Sequence, residues 1–135
     1  MRELTLEELE LEAREWLHRI GHGGILWLSG ELGSGKTTFV QAVARAASAA
    51  HARSPTFALV HEYPTPDGPL IHVDCYRLKR PEEALDLDFP DLAARARLLA
   101  IEWPERAGPY APAADVHLRF AHVRDPARRG VERVQ

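Results

Sequence analysis

The chain of 135 residues has one cysteine, two lysines and no asparagine. A lone cysteine, Cys75, cannot form an internal disulfide, and no cysteine–histidine pairs stand at zinc-finger spacing, so a reducing, cytoplasmic setting is expected. Long apolar runs are also missing. None approaches the roughly 18 residues that a membrane span needs, and the N-terminal segment lacks the apolar core of a signal peptide. We therefore expect a cytoplasmic protein that does not bind a membrane.

Positive charge is scarce as well. The 17 lysines and arginines are outnumbered by 20 acidic residues, which gives a formal net charge of −3. Binding of nucleic acid through bulk charge requires clustered lysine and arginine, so the balance argues against this mode and leaves only a local basic patch. With 45% hydrophobic and 27% charged residues, the composition is typical of a soluble globular protein. The length predicts a single domain, residues 1–135.

Helix and strand patterns alternate in the first half of the chain. Thr5 and Glu8 match a capping box, and Leu6 opens a series of apolar residues at helical spacing that predicts one buried helix face. The apolar run 25–28 between glycines predicts a strand buried on both faces. An alanine-rich stretch without glycine or proline predicts a second helix over 37–50.

Shorter elements are predicted in the second half. Turn residues at 64–69 separate two extended segments, 57–63 and 70–74, and so predict an antiparallel hairpin. Short helices are predicted at 81–85 and 91–97, a buried strand at 98–102, and terminal strands at 116–121 and 131–134.

The strongest chemical signal lies at 30–37, where Gly-Glu-Leu-Gly-Ser-Gly-Lys-Thr matches G-x-x-x-x-G-K-[ST] between a predicted strand and a predicted helix. The glycines let backbone amides turn toward phosphates, and the helix presents its positive end to them. Lys36 would place a charge between the β- and γ-phosphates, Thr37 a hydroxyl on Mg²⁺, and Thr38 or the amides beside it would hold the α-phosphate. We predict a three-layer α/β, P-loop NTPase-like fold with a mixed, partly parallel sheet and an antiparallel hairpin.

The sequence gives weaker signals for the identity of the nucleotide base and for the acidic residue that would hold Mg²⁺. A guanine-reading N-K-x-D segment cannot occur without asparagine, and no D-x-x-G follows a strand, so ATP is favoured by default. P-loop sites also need an acid at a strand end. Asp74 and Glu102 both qualify, although each could instead be a hydrogen-bonded strand-end carboxylate. His72 is interpreted as structural, because no third ligand accompanies His72 and Asp74.

Four segments, in this order and spacing, resemble the bacterial TsaE (YjeE) family: 30–38, Ser-Pro-Thr-Phe at 54–57, His-Val-Asp-Cys-Tyr-Arg-Leu at 72–78 and Ile-Glu-Trp-Pro-Glu at 101–105. A P-loop alone marks a vast superfamily, whereas the other three motifs together are specific. The resemblance implies a Mg²⁺-dependent ATPase that supports synthesis of N6-threonylcarbamoyladenosine at position 37 of tRNA. It also implies binding to the TsaB–TsaD complex, whose repeated cycles it drives, with tRNA reached only through that complex.

The resemblance further implies roles for individual residues. By this resemblance, the ATP site of the chain comprises Gly33, Ser34, Gly35, Lys36, Thr37 and Thr38, and the Mg²⁺ ligands are Thr37 and Glu102. Thr56 resembles a switch threonine that senses the γ-phosphate, and Asp74 the acid that works with it, so the implied catalytic set is Lys36, Thr56, Asp74 and Glu102. Trp103, Thr5 and Arg129 correspond to positions near the nucleotide.

Alternatives remain open at this point. A small-molecule P-loop kinase would use the same loop, but kinases of this size carry an arginine-rich lid, and here the arginines are scattered. A nucleotide-binding module without hydrolysis is disfavoured by the set of Thr56, Asp74 and Glu102. Trp103 could be a packing residue. The pair Tyr76–Arg77 could be a docking surface, or Arg77 could only form an ion pair with a nearby acid. Alone, the protein is expected to be a monomer or a weak oligomer.

Overall fold

A computed structural model describes residues 1–51 and 59–134 of the chain, and in them seven strands form one sheet. The strands are β1 (Arg2–Thr5), β2 (Gly24–Gly30), β3 (Val60–Tyr63), β4 (Leu70–Asp74), β5 (Leu98–Glu102), β6 (Val116–His122) and β7 (Arg128–Arg133). The α-helices are α1 (Leu6–Ile20), α2 (Lys36–Ala46) and α3 (Phe89–Arg95), and 3-10 turns run over Pro81–Leu87 and Pro104–Tyr110.

The sheet is mixed, with a parallel centre and antiparallel edges. Its spatial order is β1-β7-β6-β2-β5-β4-β3. The four neighbours β6, β2, β5 and β4 run parallel, whereas β7 pairs antiparallel with both β6 and β1, and β3 forms an antiparallel hairpin with β4. The predicted fold class, including the hairpin, is therefore confirmed.

Both faces of the sheet are covered, which makes the three layers. Alternate residues of a strand point to opposite faces: Leu98 of β5 packs into the apolar cluster that contains Phe39 of α2, and Leu99 into the cluster that contains Phe89 of α3. Helices α1 and α2 cover the first face, and α3 with the 3-10 turns covers the second. Residue Cys75 lies in the second cluster, fully buried, and burial raises the pKa of its thiol to about 12.

Helix α1 begins as its capping box predicts. The Thr5 hydroxyl accepts a hydrogen bond from the Glu8 amide at 3.2 Å, and the Glu8 carboxylate accepts one from the Thr5 amide at 2.9 Å. The prediction for Leu6 was wrong, because this side chain is 59% exposed. It occupies the first helical position, where the chain has only just left strand β1, and the buried stripe starts at Leu9.

Several predicted boundaries were also wrong. Helix α2 ends at Ala46 rather than near Ala50, because Ser48 has a φ of 57° and the Ala50 amide donates to the Pro64 carbonyl of the hairpin. The short helix predicted at 81–85 is a 3-10 helix that continues to Leu87, and strand β7 begins three residues before its predicted start. Strand β1 and the turn at 104–110 were not predicted. The predicted strand residues 57 and 58 lie outside the described residues.

The topology places four chain segments at one edge of the sheet. Strands β2, β4 and β5 are parallel, so their last residues, Gly30, Asp74 and Glu102, lie together at their carboxyl ends. Helix α2 starts at the same edge. In the described residues, no helix has the length and apolar character required to cross a bilayer.

Gly30 is required for packing, and Gly33 only for its backbone conformation, which allows a matched test. A Cβ at Gly30 would lie 2.1 Å from the Phe120 carbonyl oxygen of β6, whereas the nearest atom to a Cβ at Gly33 is 3.8 Å away. Both residues have positive φ. We expect Gly30→Ala to lower the free energy of unfolding by about 2 kcal/mol more than Gly33→Ala, because the Phe120 backbone cannot move to make room for the added methyl group. Urea unfolding measures both, and equal losses would contradict the packing role.

Candidate nucleotide site

A cavity of about 160 Å³ opens at the carboxyl edge of the parallel strands. Its lining contains nine of the residues predicted for the site: Gly33, Gly35, Lys36, Thr37, Thr38, Asp74, Glu102, Trp103 and Arg129. Leu32 and Tyr76 complete the lining. The cavity therefore brings together residues from the loop after β2, the ends of β4 and β5, and strand β7.

The loop between β2 and α2 lines this cavity with Gly33 and Gly35. Gly33 and Gly35 have φ values of 75° and 112°, which residues with a Cβ rarely adopt. Among the described residues, no side chain caps the start of α2, and its first turn contains no acid. The first amides of a helix lack intrahelical acceptors and carry partial positive charge, so this geometry suits a phosphate group.

Ser34 adds a second observation that points to a ligand. Its side chain is fully buried, and its Oγ has no hydrogen-bond partner within the described part of the chain. Leaving a buried hydroxyl unpaired costs free energy of about 1–3 kcal/mol. A phosphate held by the neighbouring amides would be a candidate acceptor for this hydroxyl, but Ser34, unlike Gly33 and Gly35, is not among the residues that line the cavity.

Lys36 has its ammonium group inside the loop. The residue is only 4% exposed, and its Nζ donates to the carbonyls of Gly30 at 2.6 Å and Glu31 at 2.8 Å. Burial lowers its pKa, and the charges of Glu102, Asp74 and Glu105 oppose this shift. A cation shielded from water interacts more strongly with an anion than an exposed one does, as a phosphate-binding lysine requires.

Glu102 provides the acid on the opposite wall. Its register places it opposite Leu28 of β2 and Asp74 of β4, and it is 2% exposed. The Thr37 hydroxyl donates to both carboxylate oxygens, at 2.9 Å to Oε2 and 3.2 Å to Oε1, and His72 Nε2 lies 2.5 Å from Oε2. Burial acts to raise the pKa of Glu102, but the hydrogen bonds from His72 and Thr37 and the Lys36 charge outweigh it and lower the pKa.

The ionised carboxylate and the adjacent hydroxyl form an oxygen donor set of the kind that Mg²⁺ prefers. In residues 1–51 and 59–134, no group of three or more His, Cys, Asp or Glu side chains could hold a metal by itself. A Mg²⁺ ion held by Thr37 and Glu102 would therefore take its other ligands from phosphates and water, as is usual for this ion. The residues present fit such an ion.

Asp74 lines the cavity, but its carboxylate also supports the turn after β4. Its Oδ1 accepts a hydrogen bond from the Tyr76 amide at 3.0 Å. The Asp74 amide donates to the Leu59 carbonyl at 2.9 Å. The catalytic assignment of Asp74 stays a prediction that its position allows.

Trp103 lines the cavity and packs against Tyr76 and Arg106. The Lys36 Nζ lies 4.7 Å from the Trp103 ring centroid, the Tyr76 ring is 5.0 Å away, and the Arg106 guanidinium lies 5.5 Å from Trp103 and 5.2 Å from Tyr76. The Trp103 backbone has a φ of 56°, and its amide donates to the Leu28 carbonyl. Such a conformation costs about 1–3 kcal/mol and is common at functional sites.

The remaining predicted residues differ in position. Arg129 packs against the loop, with its Cγ 3.2 Å from where a Gly35 Cβ would lie. Thr5 is paired with Arg128 in the β1–β7 ladder and is not part of the cavity lining. Thr56 lies outside the described residues, so its role stays a prediction.

Sequence reasoning missed the contribution of His72, Tyr76 and Arg106. His72 and Asp74 are two residues apart in a strand and share a face, and this spacing could have linked His72 to the strand-end acids. Arg106 follows Trp103 by three residues in a turn that Pro104 opens, a spacing that brings the two side chains together.

Comparisons with known proteins find a family model and curated relatives that match most of the chain. The family model described as "Threonylcarbamoyl adenosine biosynthesis protein TsaE" matches residues 5–130. The tRNA threonylcarbamoyladenosine biosynthesis protein TsaE of Aquifex aeolicus is 38% identical over 77% of this chain and 81% of its own length. The Nostoc protein of the same name is 36% identical over 79% and 68%. The crystal structure of Bacillus subtilis YdiB, at 23% identity, superimposes with a TM-score of 0.74 and covers 96% of this chain and 83% of that one.

The lowered pKa of Glu102 predicts a specific acid response. Below the ordinary glutamate pKa of about 4.3, this side chain binds a proton in the unfolded chain, whereas in the folded protein it stays ionised until a lower pH. Stability from this group is therefore full above that pH and is lost as pH falls through the lowered value. We expect Glu102→Gln to flatten the fall in unfolding free energy between about pH 6 and pH 3, measured by urea unfolding. Glu82→Gln, an exposed control, should keep the slope, and an unchanged slope in Glu102→Gln would contradict the assignment.

Proposed function

The chain belongs to the TsaE family of threonylcarbamoyl adenosine biosynthesis proteins, and on this premise we propose that it is a Mg²⁺-dependent ATPase. Its role is to support the synthesis of N6-threonylcarbamoyladenosine at position 37 of tRNA by binding the TsaB–TsaD complex and driving its repeated cycles. The observation that carries the proposal is the arrangement of Lys36, Thr37 and Glu102 around one cavity at the start of α2.

Phosphate recognition rests on the loop and on α2. The amides at the helix start and the buried Lys36 ammonium are two kinds of donor beside the cavity, and the same loop holds the buried Ser34 hydroxyl, which has no partner among the described residues. Lysine acts there as a compact charge. On binding, its ammonium exchanges the carbonyls of Gly30 and Glu31 for phosphate oxygens, because the charged acceptor forms the stronger hydrogen bond.

Thr37 and Glu102 would hold the Mg²⁺ ion, which supplies neutralisation of phosphate charge during transfer. Thr37 sits in the first turn of α2, and Glu102 ends β5, so both donors are fixed by regular elements. Sites built on helices and strands hold their geometry more closely than sites built on loops. Burial alone would raise the pKa of Glu102, but the contacts with His72, Thr37 and Lys36 lower it, so the carboxylate needs to lose no proton before it binds a metal at neutral pH.

Hydrolysis requires a group that orients water, and Asp74 is our candidate for it. Its side chain lines the cavity with Lys36 and Glu102, and its Oδ2 is not used in the turn that holds Oδ1. The predicted switch threonine, Thr56, is assigned to the γ-phosphate on the family resemblance alone. The flat Trp103 ring beside the cavity is suited to stacking on a nucleotide.

The partner and the tRNA role rest on the family. The Aquifex aeolicus and Nostoc relatives carry the name of a tRNA threonylcarbamoyladenosine biosynthesis protein. Leu32 and Tyr76, which line the cavity, are exposed, and a partner that docks at this edge of the sheet would cover both. The net charge of −3 argues against direct tRNA binding by bulk charge.

The proposal is tested by Mg²⁺-dependent ATP hydrolysis, measured for the purified protein alone and with TsaB and TsaD from the same source. We expect weak turnover alone and clear stimulation by the pair. Lys36→Ala should lower the stimulated rate by about 100-fold or more, because it removes a charge aimed at the phosphates.

Two outcomes would contradict the proposal. Hydrolysis that Lys36→Ala leaves unchanged would show that turnover comes from another site or a contaminant. A pair that neither binds the protein nor changes its rate would rule out the partner, and phosphoryl transfer to small-molecule acceptors would then be examined. GTP in place of ATP serves as the control for base preference.

A further inference from the structure

His72 is buried beside the metal side of the site, and neither the P-loop motif nor the ATPase proposal gives it a role. We propose that His72 is a positioning residue: its Nε2–H holds Oε2 of Glu102, so that the carboxylate keeps one orientation toward Thr37 and presents Oε1 to the metal. This inference rests on the proposed function, because a fixed Glu102 matters only if the site binds Mg²⁺ with a nucleotide.

The strand pairing brings His72 to Glu102. His72 lies opposite Ala100 in the β4–β5 ladder, and Asp74 lies opposite Glu102. Glu102 is thus the diagonal neighbour of His72, on the same face of the sheet, at a distance that long side chains can span. His72 is 4% exposed, so no water competes freely for its ring.

The hydrogen bond determines which nitrogen carries the proton. His72 Nε2 lies 2.5 Å from Oε2 of Glu102, a distance at which a proton must lie between the two atoms. A carboxylate only accepts hydrogen bonds, so Nε2 must be the protonated nitrogen. Charge-assisted hydrogen bonds of this kind are the strong ones.

Among the described residues, removing His72 would leave the Glu102 carboxylate with Thr37 as its one side-chain hydrogen-bond donor. The Thr37 hydroxyl donates to both oxygens, at 2.9 and 3.2 Å, and this bifurcated contact alone does not select one carboxylate orientation. Oε2 already accepts from both Thr37 and His72, whereas the contact of Oε1 within the described part of the chain is the longer one to Thr37. Groups that orient a ligand in this way change metal affinity by about 10–100-fold when removed.

The chain supplies a control beside the same ring. His61 of β3 stacks on His72, with ring centroids 5.8 Å apart and planes inclined by 29°. Among the described residues it makes no hydrogen bond to Glu102. Removing its ring therefore perturbs the packing of His72 without removing the Glu102 hydrogen bond.

Three variants separate the hydrogen bond from packing. His72→Gln keeps an N–H donor close to the position of Nε2. His72→Asn carries the same amide one methylene shorter, near the position of Nδ1, and cannot reach Oε2. His61→Ala removes only the stacked ring.

The experiment titrates each protein with a fluorescent ADP analogue without Mg²⁺, and then titrates Mg²⁺ at fixed nucleotide. For His72→Asn we expect unchanged affinity for the nucleotide without Mg²⁺. The Mg²⁺ concentration that produces half of the Mg²⁺-dependent change in fluorescence should rise by about tenfold or more. His72→Gln should stay within about threefold of the wild type, as a rescue by the conservative amide, and His61→Ala should match the wild type.

Urea unfolding of the same proteins provides a second measurement. A lower unfolding free energy in His72→Asn with an unchanged Mg²⁺ requirement would overturn the proposal, because His72 would then be only structural. Equal defects in His72→Gln and His72→Asn would overturn it too, because the ring rather than the N–H donor would matter.

The wild type distinguishes failure of this inference from failure of the proposed function. If it binds the nucleotide with a Mg²⁺ effect and the variants do not differ, only the role of His72 fails. If it binds no nucleotide at all, the proposed function fails and the role of His72 falls with it.

Should His72→Asn not fold, the imidazole ¹⁵N spectrum of the wild type decides: a ring protonated at Nε2 is expected, and a neutral ring protonated at Nδ1 would overturn the proposal.

Discussion

The buried carboxylate of Glu102 is the constraint on which the site depends. An ionised group 2% exposed loses most of its hydration, and this cost is tolerated only when hydrogen bonds and opposite charge replace the water. Thr37 from α2, His72 from β4 and the Lys36 charge supply that replacement. One side chain therefore ties the first turn of a helix to two strands, and the same contacts keep it ionised.

The parallel strand order makes this contact possible. Strand β5 lies between β2 and β4, although the three strands come from distant parts of the chain. Their carboxyl ends carry a glycine loop, an acid and a second acid at one edge, and ligand sites of α/β sheets lie at this edge. The antiparallel edges support the site from both sides, because β7 brings Arg129 to the loop and the hairpin places His61 against His72.

Much of the fold follows from local rules in the sequence. The capping box at Thr5, the apolar run of β2 and the glycine loop before Lys36 are determined by residues next to one another, and each was predicted. The end of α2 was not, because alanine favours a helix through residue 50 and the chain leaves it after Ala46 to reach the hairpin. Strand β1 was missed for the same kind of reason, since its partner, β7, lies at the other end of the chain.

In the candidate site, too, features set by neighbouring residues were predicted and features set by distant residues were not. Lys36 and Thr37 are readable because the P-loop motif is contiguous, and Glu102 because an acid ends an apolar run. The pairing of His72 with Glu102 depends on a ladder between residues 30 positions apart, and no local pattern encodes that register. The packing of Trp103 against Tyr76 and Arg106 likewise combines two separate turns, so only the position of Trp103 could be anticipated.

The central claim is that Glu102 belongs to the metal side of a nucleotide site and not only to the core. Calorimetric titration of ATP into the wild type and into Glu102→Gln, each with and without Mg²⁺, tests it most directly. We predict that Mg²⁺ strengthens ATP binding in the wild type, and that Glu102→Gln loses this gain while keeping its Mg²⁺-free affinity. A Mg²⁺ effect of the same size in both proteins would contradict this claim.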